Sequence, residues 1–334
     1  MTNSVPAATP DLSVIVPVHN ESQGLAALFA RLGAVLDSTG LACEVICIDD
    51  GSRDGTWTAL RAARAADSRV KLVRLSRNFG KDVALTAGLR RAQGRAVVLM
   101  DADLQHPPEL IPALIERWRD GLDMVYAVRT SRAGDTFLRR WFSKAFYLLF
   151  SGLSDVAIPA GAGDFRLLDR RVADVLRDMP ERARFMKGLY AWVGFRHGGV
   201  PFDPPPRTTG RTSFSPHRLF RFAVDALASF STVPLVASGY IGLFLAIPAL
   251  VLSIYFIVRT IFQGVDVPGY ASVIVAVLML GSIQLLTLGL FGAYLGRVFE
   301  EVKRRPLFVE SDTLGFADDR DADARRRPET PHGR

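Results

Sequence analysis

The chain has 334 residues, a formal charge of +7 and a hydrophobic share of 49%. That length can hold two average domains, the apolar share points toward a membrane, and the positive balance favours an acidic partner such as a nucleotide or a lipid phosphate. No C2H2 spacing, RNP signature or other nucleic-acid module is present, so nucleic acid is excluded from the expected partners. The two cysteines, Cys43 and Cys47, fall on one expected strand. At that separation they lie about 13 Å apart, too far for a disulfide, and they fit a reducing compartment. Residues through Pro10 show no basic segment followed by an apolar one, so no signal peptide is expected.

In chain order, a polar tail over residues 1–11 leads into Leu12 to Val18, an apolar strand that ends in His19-Asn20-Glu21. Helical spacing follows from Ser22 to Leu36. Cys43 to Ile48 reads as a second strand, ending in Asp49-Asp50-Gly51-Ser52-Arg53-Asp54, with a helix from Gly55 to Ala66. Val70 to Leu75 is a third strand, followed by Arg77-Asn78-Phe79-Gly80-Lys81 and a helix from Asp82 to Ala92. The next apolar run, Val97-Val98-Leu99-Met100, meets Asp101-Ala102-Asp103-Leu104-Gln105. It is short and has no helical period, so it reads as a buried central strand. Pro107 and Pro108 suit the first turn of a helix over Glu109 to Arg119, and Met124 to Val128 is a fifth strand with Arg129 at its end.

Strands alternating with helices predict a mainly parallel α/β sheet. Ligands of such sheets bind beyond the carboxyl ends of the strands, and here those ends carry Glu21, Asp49, Asp50, Arg77, Asp101, Asp103 and Arg129. Ionised carboxylates are costly in an apolar interior, so Asp101 and Asp103 belong where the strand opens to solvent. With the Gln105 amide oxygen they suit a hard cation, Mg²⁺ or Mn²⁺, completed by substrate phosphates; a plain solvated turn is the alternative. Neither GxGxxG nor GxxxxGK[ST] follows a strand. Asp49 is expected to brace its loop, Asp54 to cap the following helix, and His106 to be a loop residue rather than a ligand.

From Thr130 to Lys144 the chain is basic and aromatic, including Arg139, Arg140 and Trp141, as suits a membrane surface or lipid phosphate. Gly161 to Arg170 and a helical run to Arg177 follow, then Arg184 to Trp192. A Pro-rich stretch leads to Arg207 and Arg211, which could clamp an anion bidentately. Val233 to Val258 and Ala271 to Gly296 carry no charge. Each exceeds the roughly 20 residues that span a hydrocarbon core. Arginines and lysines flank both on the outer sides, which places those flanks and the α/β domain in the cytoplasm. Residues 311–334 are charged and apolar-poor, an expected disordered tail.

The ordered set of motifs resembles the family-2, GT-A-fold polyprenyl-phosphate glycosyltransferases. It comprises Val16-Pro17-Val18-His19-Asn20-Glu21, Asp49 to Asp54, Arg77 to Lys81, Asp101 to Glu109, Gly163-Asp164-Phe165-Arg166-Leu167, Glu181-Arg182 through Phe185, Arg207-x-x-Gly210, and Tyr294-Leu295-Gly296-Arg297 with Lys303-Arg304-Arg305-Pro306. The chain departs from the usual pattern at His19 (usually Tyr), Asp82 (usually Glu), Ala293 (commonly Glu) and the loose Arg211-Thr212-Ser213.

The resemblance implies a GT-A (Rossmann-like) sheet with helices on both faces over 12–206. An acceptor loop and juxtamembrane helix would occupy 207–232, transmembrane helices 233–258 and 271–296, an external loop 259–270, and a juxtamembrane segment 297–310. It implies inverting transfer of one sugar from a nucleotide diphosphate sugar, UDP favoured, to a polyprenyl phosphate at the inner face of the plasma membrane. Mg²⁺ or Mn²⁺ would sit on Asp101, Asp103 and Gln105. Pro17, Glu21, Asp50, Lys81 and Asp101 would meet the donor, and Arg129, Arg140, Arg207 and Arg211 the acceptor phosphate. Asp103, Asp164 and Arg129 would stand at the reacting centre, with an Asp164–Arg166 salt bridge as the structural alternative. Homo-oligomerisation is implied too, and Gly281, Gly289 and Gly292 permit close helix contact. Two rival readings remain at this point: a processive membrane polysaccharide synthase, which typically carries Gln-x-x-Arg-Trp where this chain has Phe137 ahead of Arg140-Trp141, and a membrane scaffold without catalysis.

Overall fold

The computed structural model describes residues 9–130, 162–182, 184–203, 233–263 and 269–316. They divide into two compact units, the second holding the long helices that end before Arg305. The first unit contains, in chain order, β1 (Leu12–Val18), α1 (Leu25–Thr39), β2 (Cys43–Asp49), α2 (Thr56–Ala66), β3 (Val70–Leu75), α3 (Lys81–Arg91) and β4 (Ala96–Leu99). A 3₁₀ turn (Pro108–Leu110), α4 (Ile111–Arg119), β5 (Met124–Arg129), β6 (Ala162–Asp169), α5 (Arg170–Asp178), α6 (Met186–Trp192), β7 (His197–Phe202) and β8 (Glu310–Leu314) complete it.

The strands form one sheet in the order β7-β5-β6-β4-β1-β2-β3-β8. β3, β2, β1 and β4 run parallel. β6 enters antiparallel between β4 and β5, and β8 closes the far edge antiparallel to β3. This is the GT-A-like mixed sheet that the sequence led us to expect. β1 and β4 are buried on both faces, which explains their unbroken apolar runs. Val14 and Val16 of β1 pack in one core with Leu28 and Leu32 of α1 and Leu114 of α4. Ile15 points the other way, against Gly88 of α3, where an added Cβ would sit 2.3 Å from its side chain. Helices therefore cover both faces.

Pro17 sits in β1 without breaking the sheet. The Ile15 carbonyl accepts from the Met100 N–H, so two residues on, Pro17 faces the same side, where β4 has already ended. The expected strand around the paired aspartates is only Ala96–Leu99, and Asp101 and Asp103 lie in the turn beyond it.

Two expectations are corrected here. The tail expected from residue 311 is not disordered at its start. Glu310–Leu314 pairs with β3, Arg91 bridges Glu310 at 2.5 Å, and Phe308 and Phe316 lie under the guanidinium groups of Arg90 and Arg91. The edge strand is fixed by charge and aromatic contacts from distant segments, so its own sequence carries no apolar alternation. Of the segment expected as a loop at 259–270, residues 259–263 belong to the helix that ends at Gln263, and Tyr270 opens the next helix.

The second unit contains α7 (Val233–Gln263), with Pro248 inside it, and α8 (Tyr270–Val302). Among the described residues one stretch, Met279–Val302, is long and apolar enough to cross a membrane by length and composition. The expectation of two such spans is thus met once by this measure. Phe244, Phe262, Leu285 and Leu286 are all exposed, and exposed apolar surface of this extent calls for an apolar surrounding.

Candidate active site

The loops after β1, β2 and β3 are stitched into one floor. His19 Nδ1 bonds the Asp50 carbonyl at 2.8 Å, and its Nε2 lies 3.1 Å from Asn78 Nδ2. Asn20, in the left-handed region at φ 55, accepts from the Arg53 N–H through its side chain. Gly51 is required where the second and third loops meet: its φ is +64 and a Cβ would stand 2.4 Å from the Arg77 carbonyl carbon. Asp49 is buried, accepts from the Ser52 N–H at 2.9 Å and faces Arg74 Nε at 3.3 Å. Asp54 accepts from the Thr56 N–H at the start of α2; its bonds to Thr56 pull its carboxyl down to about 2. Asp49 braces its loop as expected, whereas the N-cap of α2 is Gly55 and Asp54 stands one residue ahead of it.

Asp50, expected at the nucleoside, braces the fold as well. It is 4% exposed, and its two oxygens accept from the backbone N–H groups of Phe79 and Gly80 at 2.7 and 2.9 Å. These bonds fasten the turn that leads into α3. Lys81, the first residue of α3, is thereby aimed across the sheet.

The centre of the site follows from register. β4 and β6 pair with Leu99 opposite Arg166, so the next two steps bring Asp101 and Asp164 to the same end of the sheet. Lys81 Nζ lies between them, 2.6 Å from Asp101 Oδ1 and 2.8 Å from Asp164 Oδ2. Lys187 Nζ, from α6, lies 3.7 Å from the other oxygen, Asp164 Oδ1. Burial alone would raise the Asp164 carboxyl, but Lys187 and then Lys81 outweigh it and bring it down to about 2. Burial disfavours the Lys81 ammonium, yet Asp101 and Asp164 hold its pKa above the usual value.

The salt bridge considered between Asp164 and Arg166 does not form. Arg166 turns away, donates to the Gly163 carbonyl at 2.6 Å, and stacks 3.6 Å over the Tyr190 ring. Asp103 is exposed, and its Oδ1 accepts from the Gln105 N–H at 3.0 Å across Leu104, which is left-handed at φ 57. Gln105 Oε1 is engaged by Arg129 Nη2 at 3.3 Å, so in this structure the amide oxygen serves Arg129. Glu21 has a carboxyl raised by partial burial and then by the charge of Asp103.

These groups fit a hard divalent cation through oxygen donors, Asp101 and Asp103 first. Among the described residues no three His, Cys, Asp or Glu side chains converge as a ready cage. His106 is buried, 5.8 and 5.4 Å from the rings of Phe165 and Phe202, with both nitrogens without hydrogen bonds. Burial pushes its pKa down. Arg140, Arg207 and Arg211 lie outside the described residues. Lys187 was not singled out as a site residue from the sequence, though it follows directly on the quoted Glu181 to Phe185 motif.

Residues 13–177 match glycosyl transferase family 2. An uncharacterised glycosyltransferase of Synechocystis sp. is 48% identical over 308 residues, 92% of this chain and 97% of that one. The bactoprenol glucosyl transferase of Shigella phage SfII is 39% identical over 298 residues, 89% of this chain and 96% of that one. Among solved structures, mannosyl-3-phosphoglycerate synthase from Rubrobacter xylanophilus aligns with a TM-score of 0.48 at 17% identity, covering 66% of this chain and 73% of that one. A likeness of that level says nothing of activity. The chain belongs to glycosyl transferase family 2 and is a glycosyltransferase.

Proposed function

We propose that the chain transfers a single sugar from a UDP-sugar to the phosphate of a polyprenyl phosphate at the cytoplasmic face of the membrane, inverting the anomeric carbon. The relatives named bactoprenol glucosyl transferase support the acceptor class. One observation about the site carries the chemistry: Asp164, opposite Asp101 in the strand register and in reach of α6, is held ionised by two ammonium groups. A carboxyl near pKa 2 is a poor proton acceptor at neutral pH. A phosphate monoester, whose second pKa is about 6, needs none, because it is already largely a dianion at pH 7.

An acceptor oxygen attacks the anomeric carbon from the face opposite the diphosphate. The new C–O bond forms as the bond to the donor β-phosphate breaks, and the electron pair leaves with the nucleoside diphosphate. Asp101 and Asp103 would hold a Mg²⁺ or Mn²⁺ ion, which when bound supplies Lewis-acid stabilisation of the leaving diphosphate. Glu21 and Pro17 flank the donor from the β1 loop, and Asp50 supports it from below. Asp164 orients the sugar through its hydroxyls. Arg129, with Arg140, Arg207 and Arg211, positions the acceptor phosphate by charge-assisted bonds.

The exposed apolar surface of α7 and α8 supports two membrane spans with both termini cytoplasmic and a homo-oligomer within the bilayer. A cysteine placed at Val267 is then labelled by an impermeant reagent from outside; labelling only after membrane rupture reverses the orientation. The function itself is tested by incubating membranes with radiolabelled UDP-sugars. Label entering a lipid cleaved by mild acid supports single transfer, long polymer supports a processive synthase, and no incorporation supports a scaffold.

A further inference from the structure

The site contains a second layer behind Asp164 whose effect on the carboxylate's orientation the transfer reading does not use. Lys187 and Tyr190 stand one turn apart on α6 and share a face, as Asp164 and Arg166 do on β6. The two faces meet in register: Lys187 reaches Asp164 at 3.7 Å, and Tyr190 stacks on Arg166 at 3.6 Å. Asp82 follows Lys81 on α3 and lies close enough to Asp164 and Lys187 for both charges to act on its carboxyl.

We propose, building on the transfer reading above, that Lys187 is a positioning residue that fixes the Asp164 carboxylate toward the donor sugar. The physical reason is that Lys81 serves two carboxylates. It touches Asp101 and one oxygen of Asp164, so its position depends on what Asp101 binds. Lys187 addresses the other oxygen of Asp164 from a different helix. Two cations on two oxygens set the carboxylate's rotation, which one shared cation cannot do. Displacing a positioning group by about 1 Å costs roughly 100-fold in rate.

The test uses the full chain in detergent with Mn²⁺, comparing wild type, Lys187→Met and Lys187→Arg. Isothermal titration gives the affinities for UDP and for UDP-glucose, and steady-state kinetics with undecaprenyl phosphate gives kcat and KM. For Lys187→Met we expect kcat to fall about 100-fold, UDP affinity to stay at the wild-type value, and the sugar's added contribution to UDP-glucose affinity to be lost. Lys187→Arg restores most of kcat. Unchanged kcat in Lys187→Met, a parallel loss of UDP affinity, or failure of Arg to rescue overturns the proposal. The UDP-glucose and UDP affinities require no acceptor. A wild-type chain that transfers nothing to undecaprenyl phosphate therefore defeats the transfer reading, while the binding difference still decides the role of Lys187.

Discussion

The ammonium of Lys81 lies 2.6 Å from a carboxylate oxygen of Asp101. Asp101 is also the leading candidate ligand for a divalent ion, so a cation arriving there must compete with an ammonium already in place. Removing that competitor exposes the carboxylates to the metal. Lys81→Met is expected to bind Mn²⁺ more tightly than wild type in the absence of nucleotide, read by titration with paramagnetic resonance, while transferring sugar more slowly. Asp103→Ala is expected to lose both Mn²⁺ binding and transfer with little change in thermal midpoint, since Asp103 is exposed and its one bond, to the Gln105 N–H, is worth about 1 kcal/mol. Full activity of Asp103→Ala, or full activity in EDTA, contradicts the metal assignment.

Arg129 ends β5 and donates to Gln105, so it stands beside the metal turn as well as near the basic segment that follows it in sequence. Its fork can hold a phosphate dianion with two short bonds, which a lysine cannot reproduce. Arg129→Ala is expected to raise the KM for undecaprenyl phosphate or lower kcat, with UDP-sugar affinity by titration nearly unchanged. Arg129→Lys is expected to recover part of the loss. Weaker nucleotide binding with intact acceptor dependence instead assigns this arginine to the donor through Gln105.

Asp82 is pushed up from 3.8 to about 6, first by burial and then by the charge of Asp164. Between those two values the folded state binds more protons than the unfolded state, so this group makes stability fall as pH rises through that window. Below 3.8 both states are protonated, and above about 6 the loss is complete. Asp82→Asn removes the effect, because an amide does not titrate in this range. The thermal midpoint of Asp82→Asn minus that of wild type is therefore expected to grow from pH 4 to pH 6 and then level off. A difference that does not vary with pH contradicts the buried, ionising Asp82.

The parallel half of the sheet was legible because each strand is a short apolar run ending in charge. β3 was read to the residue as Val70–Leu75, and β1 as Leu12–Val18. Helix boundaries were less so: α1 begins at Leu25 and runs on to Thr39, where Gly40 closes it in the left-handed conformation, a stop signal present in the sequence. The antiparallel β6 was not read as a strand, because nothing local distinguishes a strand inserted between β4 and β5 from a loop. Its pairing is what sets Asp164 opposite Asp101. β8 was missed for a related reason, since its partners lie far away in sequence. The carboxylates of the site were legible as residue types, but their partners were not. Asp50 binds backbone, Gln105 binds Arg129 and Asp164 binds two lysines, and each of these depends on tertiary register rather than on spacing.

The central claim is that the acceptor's own charge replaces a general base. Its most direct test compares undecaprenyl phosphate with undecaprenol, which has the same chain and no phosphate, using purified full chain, Mn²⁺ and labelled UDP-glucose. The expected result is labelled lipid with the phosphate, at a rate that falls as the pH is lowered through the acceptor's second pKa of about 6, and no labelled lipid with the alcohol. Transfer to undecaprenol at a comparable rate, or to neither acceptor, contradicts the account.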